Sequence, residues 1–317
     1  MSSTRRGMKF REPAIFERGS AGRIGHSLPT GAYAAIDELP EQFRRQTPPL
    51  LPEVSELEAV RHFTRLSQWN YGIDLGMYPL GSCTMKFNPR VNEEMARLAG
   101  FAHLHPYMPD SMSQGALELM AGLEGLLSEI SGMHAISLQP AAGAQGEFTG
   151  MRMIRQRLIE RGETQRNRVL IPDTAHGTNP ASCALNSFEV VSVKSGERGI
   201  LTAADLREHL DDRVAALMMT NPNTLGLFEE DVSEIADLLH EHGAYLYCDG
   251  ANMNALLGRA RPGDMGVDVM LFNLHKTFST PHGGGGPGSG PIGVSKELEP
   301  LLPSPRIVRE DEQWVVQ

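Results

Sequence analysis

The chain has 317 residues, of which 40% are hydrophobic and 21% charged, and it carries a formal net charge of −10 at pH 7. This composition is ordinary for a globular protein of one large or two average domains, and the negative charge argues against nucleic acid or an anionic membrane as the main partner. No apolar run approaches the roughly 18 residues that span a bilayer, and the basic start lacks the apolar stretch of a signal peptide.

The N-terminal part of the chain predicts an arm and then a helix. Residues 1–49 are rich in Gly, Pro and Arg and show little periodicity, so we expect an extended arm that wraps a partner subunit. Residues 50–114 are predicted to form a helical segment and an active-site loop. The helix is predicted over residues 52–67, because Pro52 stands at its start and apolar residues follow at helical spacing.

Residues 70–90 form a long polar loop, and such a loop is more often functional than filler in a compact protein. It carries hydroxyl and thiol groups, among them Ser82 and Cys83. A covalent role of Cys83 is the alternative to lining a pocket, but the sequence identifies no Cys–His pair. With Cys183 and Cys248 it makes three scattered cysteines, too few for a disulfide framework or a metal cluster, so we expect reduced thiols in a cytoplasmic protein.

Residues 115–300 alternate predicted strands and helices, which indicates an α/β domain with a mostly parallel sheet and helices on both faces. An amphipathic helix over residues 115–133 opens this domain, and its stripe of Leu and Met is expected to be core. Further helices are predicted after residue 147 and over residues 202–210 and 229–242. Strands are predicted at residues 135–139, 169–172, 188–193, 214–219, 244–248, 269–272 and 290–295.

A turn of small residues, 140–147, joins the strand at 135–139 to the next helix. Free N–H groups and the positive end of the helix dipole make such a turn a cradle for a phosphate. Tight packing of the helix on the sheet through Gly143 is the structural alternative, and the two roles are compatible.

Two further polar turns follow predicted strands. His176, in the loop 173–180, can stack flat on an aromatic ring and shuttle protons near neutral pH, whereas a solvated loop histidine is the alternative. Asn221, after the strand at 214–219, either lines the same site or forms a plain Asn-Pro turn.

Asp249 and Lys276 each come just after a short apolar strand, where open α/β sheets bind ligands. A partly desolvated lysine is an amine nucleophile, and the hydroxyls and glycines that follow it suit a phosphate. A carboxylate can pair with a protonated ring nitrogen, so the two residues together fit pyridoxal phosphate. The alternatives are a surface lysine in a glycine-rich loop and an aspartate that caps the next element.

The Asp249-Gly-Ala251 and His275-Lys276 motifs resemble the fold-type I family of pyridoxal phosphate enzymes. The longer stretches 78–89, 139–147 and 173–180, in the same order, resemble the P-protein family of the glycine cleavage system, which contains glycine dehydrogenase (decarboxylating). The similarity is greatest to the second subunit of P-proteins that are split into two chains. It runs from about residue 19 to residue 307.

The resemblance implies a large domain like that of aspartate aminotransferase. It also implies decarboxylation of glycine, with transfer of the aminomethyl group to the lipoyl arm of the H-protein. Lys276 is implied to hold pyridoxal phosphate covalently, Asp249 to keep its ring nitrogen protonated, and His176 to stack on the ring. The other implied residues are Ala251, Gly143, Ala144, Gln145, Asn221 and His275 for the cofactor, and Ser82, Cys83 and Asn88 for the glycine pocket.

The implied partners are P-protein subunit 1, in a heterodimer or a dimer of heterodimers, and the lipoylated H-protein. Family members continue into a small C-terminal domain, so we expect residues 301–317 to be the start of a truncated C-terminal region. Two alternatives stay open. One is a different fold-type I enzyme, such as an aminotransferase or a cysteine desulfurase, against which the loop at 78–89 argues; the other is a non-catalytic remnant.

Overall fold

The computed structural model describes residues 11–27, 40–47, 49–70, 76, 89–280 and 288–317. By its contacts the chain divides into two compact units, Met1–Tyr78 and Pro79–Gln317. The domain boundaries predicted after residues 49, 114 and 300 remain predictions. Within the described residues no helix combines the length and the apolarity needed to cross a bilayer.

In the first unit, helix α1 (Glu56–Ser67) begins four residues later than the sequence predicts. The Ser55 hydroxyl accepts a hydrogen bond from the Glu58 N–H at 3.3 Å, and the Glu58 carboxylate accepts one from the Ser55 N–H at 2.9 Å. This reciprocal capping box places the helix start at Ser55 instead of Pro52, because it satisfies two N–H groups that the helix itself leaves unpaired.

Glu12 holds the described part of the N-terminal arm against helix α1. Its side chain is buried, and its carboxylate contacts three basic groups: Arg65 Nε at 2.5 Å, His62 Nδ1 at 2.9 Å and Arg18 Nε at 2.8 Å. The hydrogen bond from Arg65 is the main cause that lowers the pKa of Glu12 to about 2. The arm is thus fixed at this point by an ionised carboxylate, and its predicted role in wrapping a partner remains a prediction.

In the part of the second unit that the structure describes, three α-helices precede the sheet: α2 (Arg90–Ala96), α3 (Ala99–Ala102) and α4 (Gln114–Ser131). Helix α4 confirms the predicted helix, but its apolar stripe is only partly core. Leu127 is 1% exposed, whereas Leu119 and Leu126 are 60% and 65% exposed. The prediction that the whole stripe is buried is therefore wrong, since only the side of α4 that carries Leu127 meets the sheet.

A seven-stranded sheet forms the centre of the second unit. Its strands are β1 (Ala135–Ser137), β2 (Arg168–Pro172), β3 (Glu189–Val193), β4 (Val214–Thr220), β5 (Tyr245–Gly250), β6 (Val269–Phe272) and β7 (Ile292–Val294). They lie in the order β1-β7-β6-β5-β4-β2-β3. Strand β7 is antiparallel to both of its neighbours, and the other pairs are parallel. The mostly parallel sheet is confirmed, and each strand overlaps a predicted one.

Helices cover both faces of this sheet, as predicted. The remaining helices are α5 (Gly143–Glu160), α6 (Thr178–Leu185), α7 (Ala203–Arg207) and α8 (Val232–Glu241). Successive strand residues point to opposite faces, and along β4 Leu217 packs in a cluster with α8 while Met218 packs in a second cluster with α5 and α6. The residues of both clusters are buried. The strands are therefore packed on both faces, which fixes the positions of their ends.

A β-hairpin follows the sheet, formed by β8 (Ile307–Glu310) and β9 (Gln313–Val316). The side chain of Gln114, the first residue of α4, holds the hairpin: its Nε2 donates to the Trp314 backbone carbonyl at 2.6 Å, and its Oε1 accepts from the Trp314 N–H at 2.8 Å. No hairpin is predicted here from the sequence: half of the residues in each strand are β-branched, but the strands are short and the turn between them, residues 311–312, lacks the glycine that marks a tight hairpin turn.

Candidate active site

The N-terminus of helix α5 faces solvent without a capping side chain. Ala142 occupies the cap position and forms no side-chain hydrogen bond, and Ala144 and Gln145 in the first turn are exposed. The Gln145 side chain accepts instead from the Ala141 N–H at 2.9 Å. A helix of 18 residues concentrates positive partial charge at this end, and its first N–H groups have no partner within the helix. These groups, at Gly143, Ala144 and Gln145, can therefore bind an anion.

The same helix lies unusually close to the sheet. A Cβ atom added at Gly143 would stand 2.8 Å from the Asn273 Nδ2, and one at Gly146 would stand 2.6 Å from the carbonyl oxygen of Gly290. The alternative role of Gly143, in tight packing of helix on sheet, is thus confirmed. The Cβ position concerns the side of the helix, whereas the first N–H groups point along its axis, so this role leaves those groups available for an anion.

Asp249 lies at the carboxyl end of β5, as predicted, and is 4% exposed. Its Oδ2 accepts from the Asn179 Nδ2 at 3.2 Å, and its Oδ1 accepts from the Ala251 N–H at 3.1 Å. Asn179 belongs to the first turn of α6, so this bond ties the carboxylate to the helix that follows the His176 loop. Ala251 contributes its N–H to this carboxylate, and its predicted contact with a cofactor remains a prediction.

Lys276 lies at the same edge of the sheet as Asp249. The parallel register of β5 and β6 pairs Asp249 with Leu271, so the chain reaches Lys276 just beyond the carboxyl end of the neighbouring strand. Lys276 is partly buried, and its backbone N–H donates to the Asn273 carbonyl at 3.0 Å. The fold therefore brings the amine and the carboxylate to adjacent strand ends.

His275 packs against the chain where it returns to the sheet. It is buried, and its Nδ1 accepts from the Ser289 N–H at 3.2 Å. A Cβ atom at Gly288, where φ is +77°, would clash with the imidazole, so only glycine fits there. His275 thus fixes the segment after Lys276, and its predicted contact with a cofactor remains a prediction.

His176 is exposed in the loop between β2 and α6, and a chain of hydrogen bonds connects it to a buried acid. Its Nδ1 lies 2.8 Å from the Thr178 Oγ1, which lies 2.6 Å from the Glu147 Oε1. The Ser182 hydroxyl donates to the Glu147 Oε2 at 2.8 Å. Burial raises the pKa of Glu147, and the negative charge of Asp249 adds to this increase.

Glu147 is a site residue that the sequence did not reveal. It ends the stretch 139–147, but nothing nearby in the sequence suggests partners for it. Thr178 and Ser182 stand 31 and 35 residues later. Their spacing of four places them on one face of a helix, which was the available signal, and only the packing of α5 on α6 shows what that face meets.

Asn221 acts mainly in the loop after β4. It is buried, and its Oδ1 accepts from the Glu229 N–H at 3.0 Å. The Glu229 carboxylate in turn accepts from the Asn223 side chain at 2.8 Å and from the Leu201 N–H at 2.6 Å. This network supports the turn role of Asn221, and its role in binding a cofactor remains a prediction.

The predicted glycine-pocket residues Ser82, Cys83 and Asn88 lie outside the described residues. The other two cysteines, Cys183 and Cys248, are buried free thiols. Burial raises the pKa of each thiol to about 12, so neither is a thiolate at neutral pH.

The chemistry of the described groups fits pyridoxal phosphate. An uncapped helix N-terminus suits its phosphate, a buried carboxylate suits its protonated ring nitrogen, and a lysine amine at the adjacent strand end suits its aldehyde. These groups come from α5, β5 and the segment after β6, which meet at one edge of the sheet.

Comparison with known proteins identifies related sequences over most of the chain. The family model described as glycine cleavage system P-protein matches residues 33–313. A Listeria innocua protein named probable glycine dehydrogenase (decarboxylating) subunit 2 is 56% identical over 305 residues, which are 95% of this chain and 62% of that protein. A protein of the same name from Desulforamulus reducens is 57% identical over 307 residues, or 96% of this chain and 63% of that one. The chain spans about three fifths of the length of these curated relatives.

Among solved structures, the chain is similar to glycine decarboxylase (P-protein) of the glycine cleavage system in inhibitor-bound form. The TM-score is 0.71 and the sequence identity 22%, over 88% of this chain and 62% of that chain. At this identity the similarity concerns the fold, and it confirms the predicted fold-type I architecture.

Proposed function

The chain belongs to the family of glycine cleavage system P-proteins, and from this we propose that it is the catalytic chain of a pyridoxal phosphate enzyme that decarboxylates glycine. The aminomethyl group that remains would pass to the lipoyl arm of an H-protein, and carbon dioxide would be released. The observation that carries the proposal is the position of Lys276 and Asp249 at adjacent strand ends, beside the uncapped N-terminus of α5.

Pyridoxal phosphate, when bound, supplies a ring that takes up the electrons left on the α-carbon of an amino acid. In this proposal Lys276 holds the cofactor through its amine, and Asp249 holds a proton on the ring nitrogen. The N–H groups of residues 143–145 bind the phosphate, and His176 covers the ring. Asn179 and the Ala251 N–H orient the Asp249 carboxylate through the two hydrogen bonds described above.

We also propose the partners that this reaction requires. The relatives are named subunit 2, which supports a companion subunit 1, in a heterodimer or a dimer of heterodimers. The lipoylated H-protein and glycine complete the set, and Ser82, Cys83 and Asn88 are the proposed lining of the glycine pocket. The match to the P-protein family argues against an aminotransferase or a cysteine desulfurase.

The cofactor proposal can be tested by absorbance. We expect the purified chain with pyridoxal phosphate to develop a visible band from the covalent lysine–cofactor linkage, and borohydride to fix the cofactor to the peptide that carries Lys276. Lys276→Ala should lose both signals. Lys296→Ala is the matched control, because Lys296 is exposed and follows β7, and it should keep them. A folded wild-type chain without the band would overturn the proposal.

The reaction can be tested separately from cofactor binding. With the companion subunit and lipoylated H-protein, we expect exchange of labelled bicarbonate into the carboxyl group of glycine. Formation of glyoxylate from glycine without release of carbon dioxide would instead indicate an aminotransferase and contradict the proposed reaction.

A further inference from the structure

Glu147 is a buried carboxylate with two hydroxyl partners on helix α6. It lies in the first turns of α5 and is 4% exposed. Thr178 and Ser182 donate to its two oxygens at 2.6 Å and 2.8 Å. A buried carboxylate with a hydrogen bond on each oxygen is held in one orientation.

The direction of these hydrogen bonds has a consequence for His176. An ionised carboxylate only accepts, and a hydroxyl has a single hydrogen to donate. The Thr178 hydrogen therefore points to Glu147, and the Thr178 oxygen can only accept at its other contact, the Nδ1 of His176 at 2.8 Å. With Glu147 ionised, this contact therefore favours a hydrogen on Nδ1.

A weaker contact favours the opposite arrangement. The Thr178 N–H points at the same Nδ1 at 3.2 Å and would be satisfied by an unprotonated nitrogen. The hydroxyl contact is shorter by 0.4 Å. When Glu147 is ionised, this contact is also linked to a charged acceptor, which strengthens it relative to a neutral pair. Without Glu147 and the Thr178 hydroxyl, only the N–H contact would remain.

We propose that Glu147 is a positioning residue for His176: through the Thr178 hydroxyl it holds the imidazole proton on Nδ1 and leaves Nε2 free to accept a proton. A neutral histidine has one donor and one acceptor nitrogen, and the partner of one decides the role of the other. The use of Nε2 as a base rests on the proposed function. The tautomer itself is a property of this chain alone.

The relay depends on the ionisation of Glu147. Burial raises the pKa of this carboxyl group, and the titratable groups that face it are Asp249 and Tyr247 from β5 and Cys183 from α6. When pH falls through the raised pKa, Glu147 gains a proton and can donate to Thr178. The Thr178 hydroxyl is then free to turn away from Glu147, and the hold on the Nδ1 tautomer is lost.

The test uses nitrogen NMR on the full 317-residue chain without cofactor, labelled with ¹⁵N-histidine. The resonances of His176 are assigned by their loss in His176→Gln. We expect wild-type His176 in its neutral form to show a protonated Nδ1 and an unprotonated Nε2. Thr178→Val and Glu147→Met, which keep the side-chain size and remove the relay, should shift the proton to Nε2.

Two control variants separate this role from a general effect on structure. Thr178→Ser restores the hydroxyl and should restore the wild-type tautomer. Ser182→Ala removes the other hydroxyl on Glu147, which does not reach His176, and should leave the tautomer unchanged.

A wild-type imidazole protonated on Nε2, or an unchanged tautomer in Thr178→Val, would overturn the inference. If the His176 proton moves to Nε2 in Thr178→Val but stays on Nδ1 in a folded Glu147→Met, the proposed role of Glu147 is overturned. Because the cofactor is absent from this experiment, failure of the proposed function would appear only in the absorbance test.

Discussion

Asp249 combines burial with two neutral hydrogen-bond donors, Asn179 and the Ala251 N–H. An arrangement of this kind fixes the orientation of a carboxylate and leaves its charge available for a positive partner. A protonated ring nitrogen is such a partner. A neutral amide in place of the carboxylate keeps one acceptor oxygen and can still accept from the Ala251 N–H, but its NH2 group cannot accept from Asn179. The charge of this residue can thus be removed while its size and one of its two hydrogen bonds are kept.

We expect Asp249→Asn to lower the rate of glycine decarboxylation by about 100-fold, the size typical of removing one preorganised electrostatic partner. The free energy of unfolding should fall by about 1–3 kcal/mol, because the amide keeps one of the two hydrogen bonds and leaves the buried Asn179 side chain without its acceptor. Steady-state rates and thermal melting of the purified variant check the two expectations.

Asp268→Asn is the matched control for this change. Asp268 is a buried aspartate at the opposite end of the sheet, where it accepts from the Leu246 N–H at 2.8 Å and contacts His240. The Asp268→Asn variant should keep the cofactor spectrum and the rate of decarboxylation. Equal losses of rate in both variants would contradict a specific role of Asp249 at the cofactor edge, because the loss would then follow from removing the charge of any buried aspartate.

At the scale of single residues, the sequence predicts what depends on neighbours along the chain. Asp249 and Lys276 follow short apolar runs, and parallel pairing of those runs was enough to place both at one edge. For Asn221 the sequence left two roles open, lining the site or forming an Asn-Pro turn, and could not decide between them because the partner Glu229 lies eight residues away in an irregular loop. The sequence did not reveal Glu147 for the same reason, since its partners are still farther along the chain and belong to another helix.

At the scale of elements, helix α5 couples the sheet to the proposed phosphate site. Its glycines allow the helix axis to approach β6 and the segment before β7 closely, and Gly146 is packed against the carbonyl of Gly290. Residues on the same helix face then fill the core, with Met151 and Ile154 fully buried. The position of the first turn is therefore set by the packing of the whole helix.

We expect Gly146→Ala to destabilise the protein by about 1–3 kcal/mol, the range for forcing extra atoms into a packed site. The added Cβ would stand 2.6 Å from the Gly290 carbonyl oxygen, so α5 must move outward. That movement should also weaken the binding of pyridoxal phosphate. Chemical denaturation and a cofactor titration measure the two effects.

Gly122→Ala gives the opposite expectation in the same kind of element. Gly122 lies within α4 with no atom within 4 Å of an added Cβ, so alanine should stabilise the helix by up to about 1 kcal/mol. If both substitutions had the same effect, helix propensity and not packing would govern α5.

The elements that the sequence predicts less well are those whose limits depend on side-chain detail. The start of α1 moved to Ser55 because a capping box outweighs the proline signal. The stripe of α4 was periodic, but periodicity does not tell how much of a helix face finds a partner within the same chain. Local pattern thus predicts that an element exists better than it predicts its ends or its burial.

At the scale of the whole molecule, every described residue proposed to bind the cofactor belongs to the unit Pro79–Gln317. A ligand that binds the folded chain and not the unfolded one adds to stability by mass action, with about 2.7 kcal/mol at a concentration 100 times the Kd. For a domain of this size, about 2–4 °C in the melting temperature corresponds to each kcal/mol.

We therefore expect pyridoxal phosphate to raise the melting temperature in a concentration-dependent way, and pyridoxal to raise it less. Pyridoxal keeps the ring and the aldehyde for Asp249 and Lys276 but lacks the phosphate, so the difference between the two ligands reports the N–H groups at the start of α5. Calorimetric melting at matched concentrations measures it. Equal stabilisation by both ligands would contradict a phosphate site at residues 143–145. The same measurement on Lys276→Ala separates two contributions: an increase in melting temperature that persists in this variant comes from binding by the N–H groups and not from the covalent bond to the lysine.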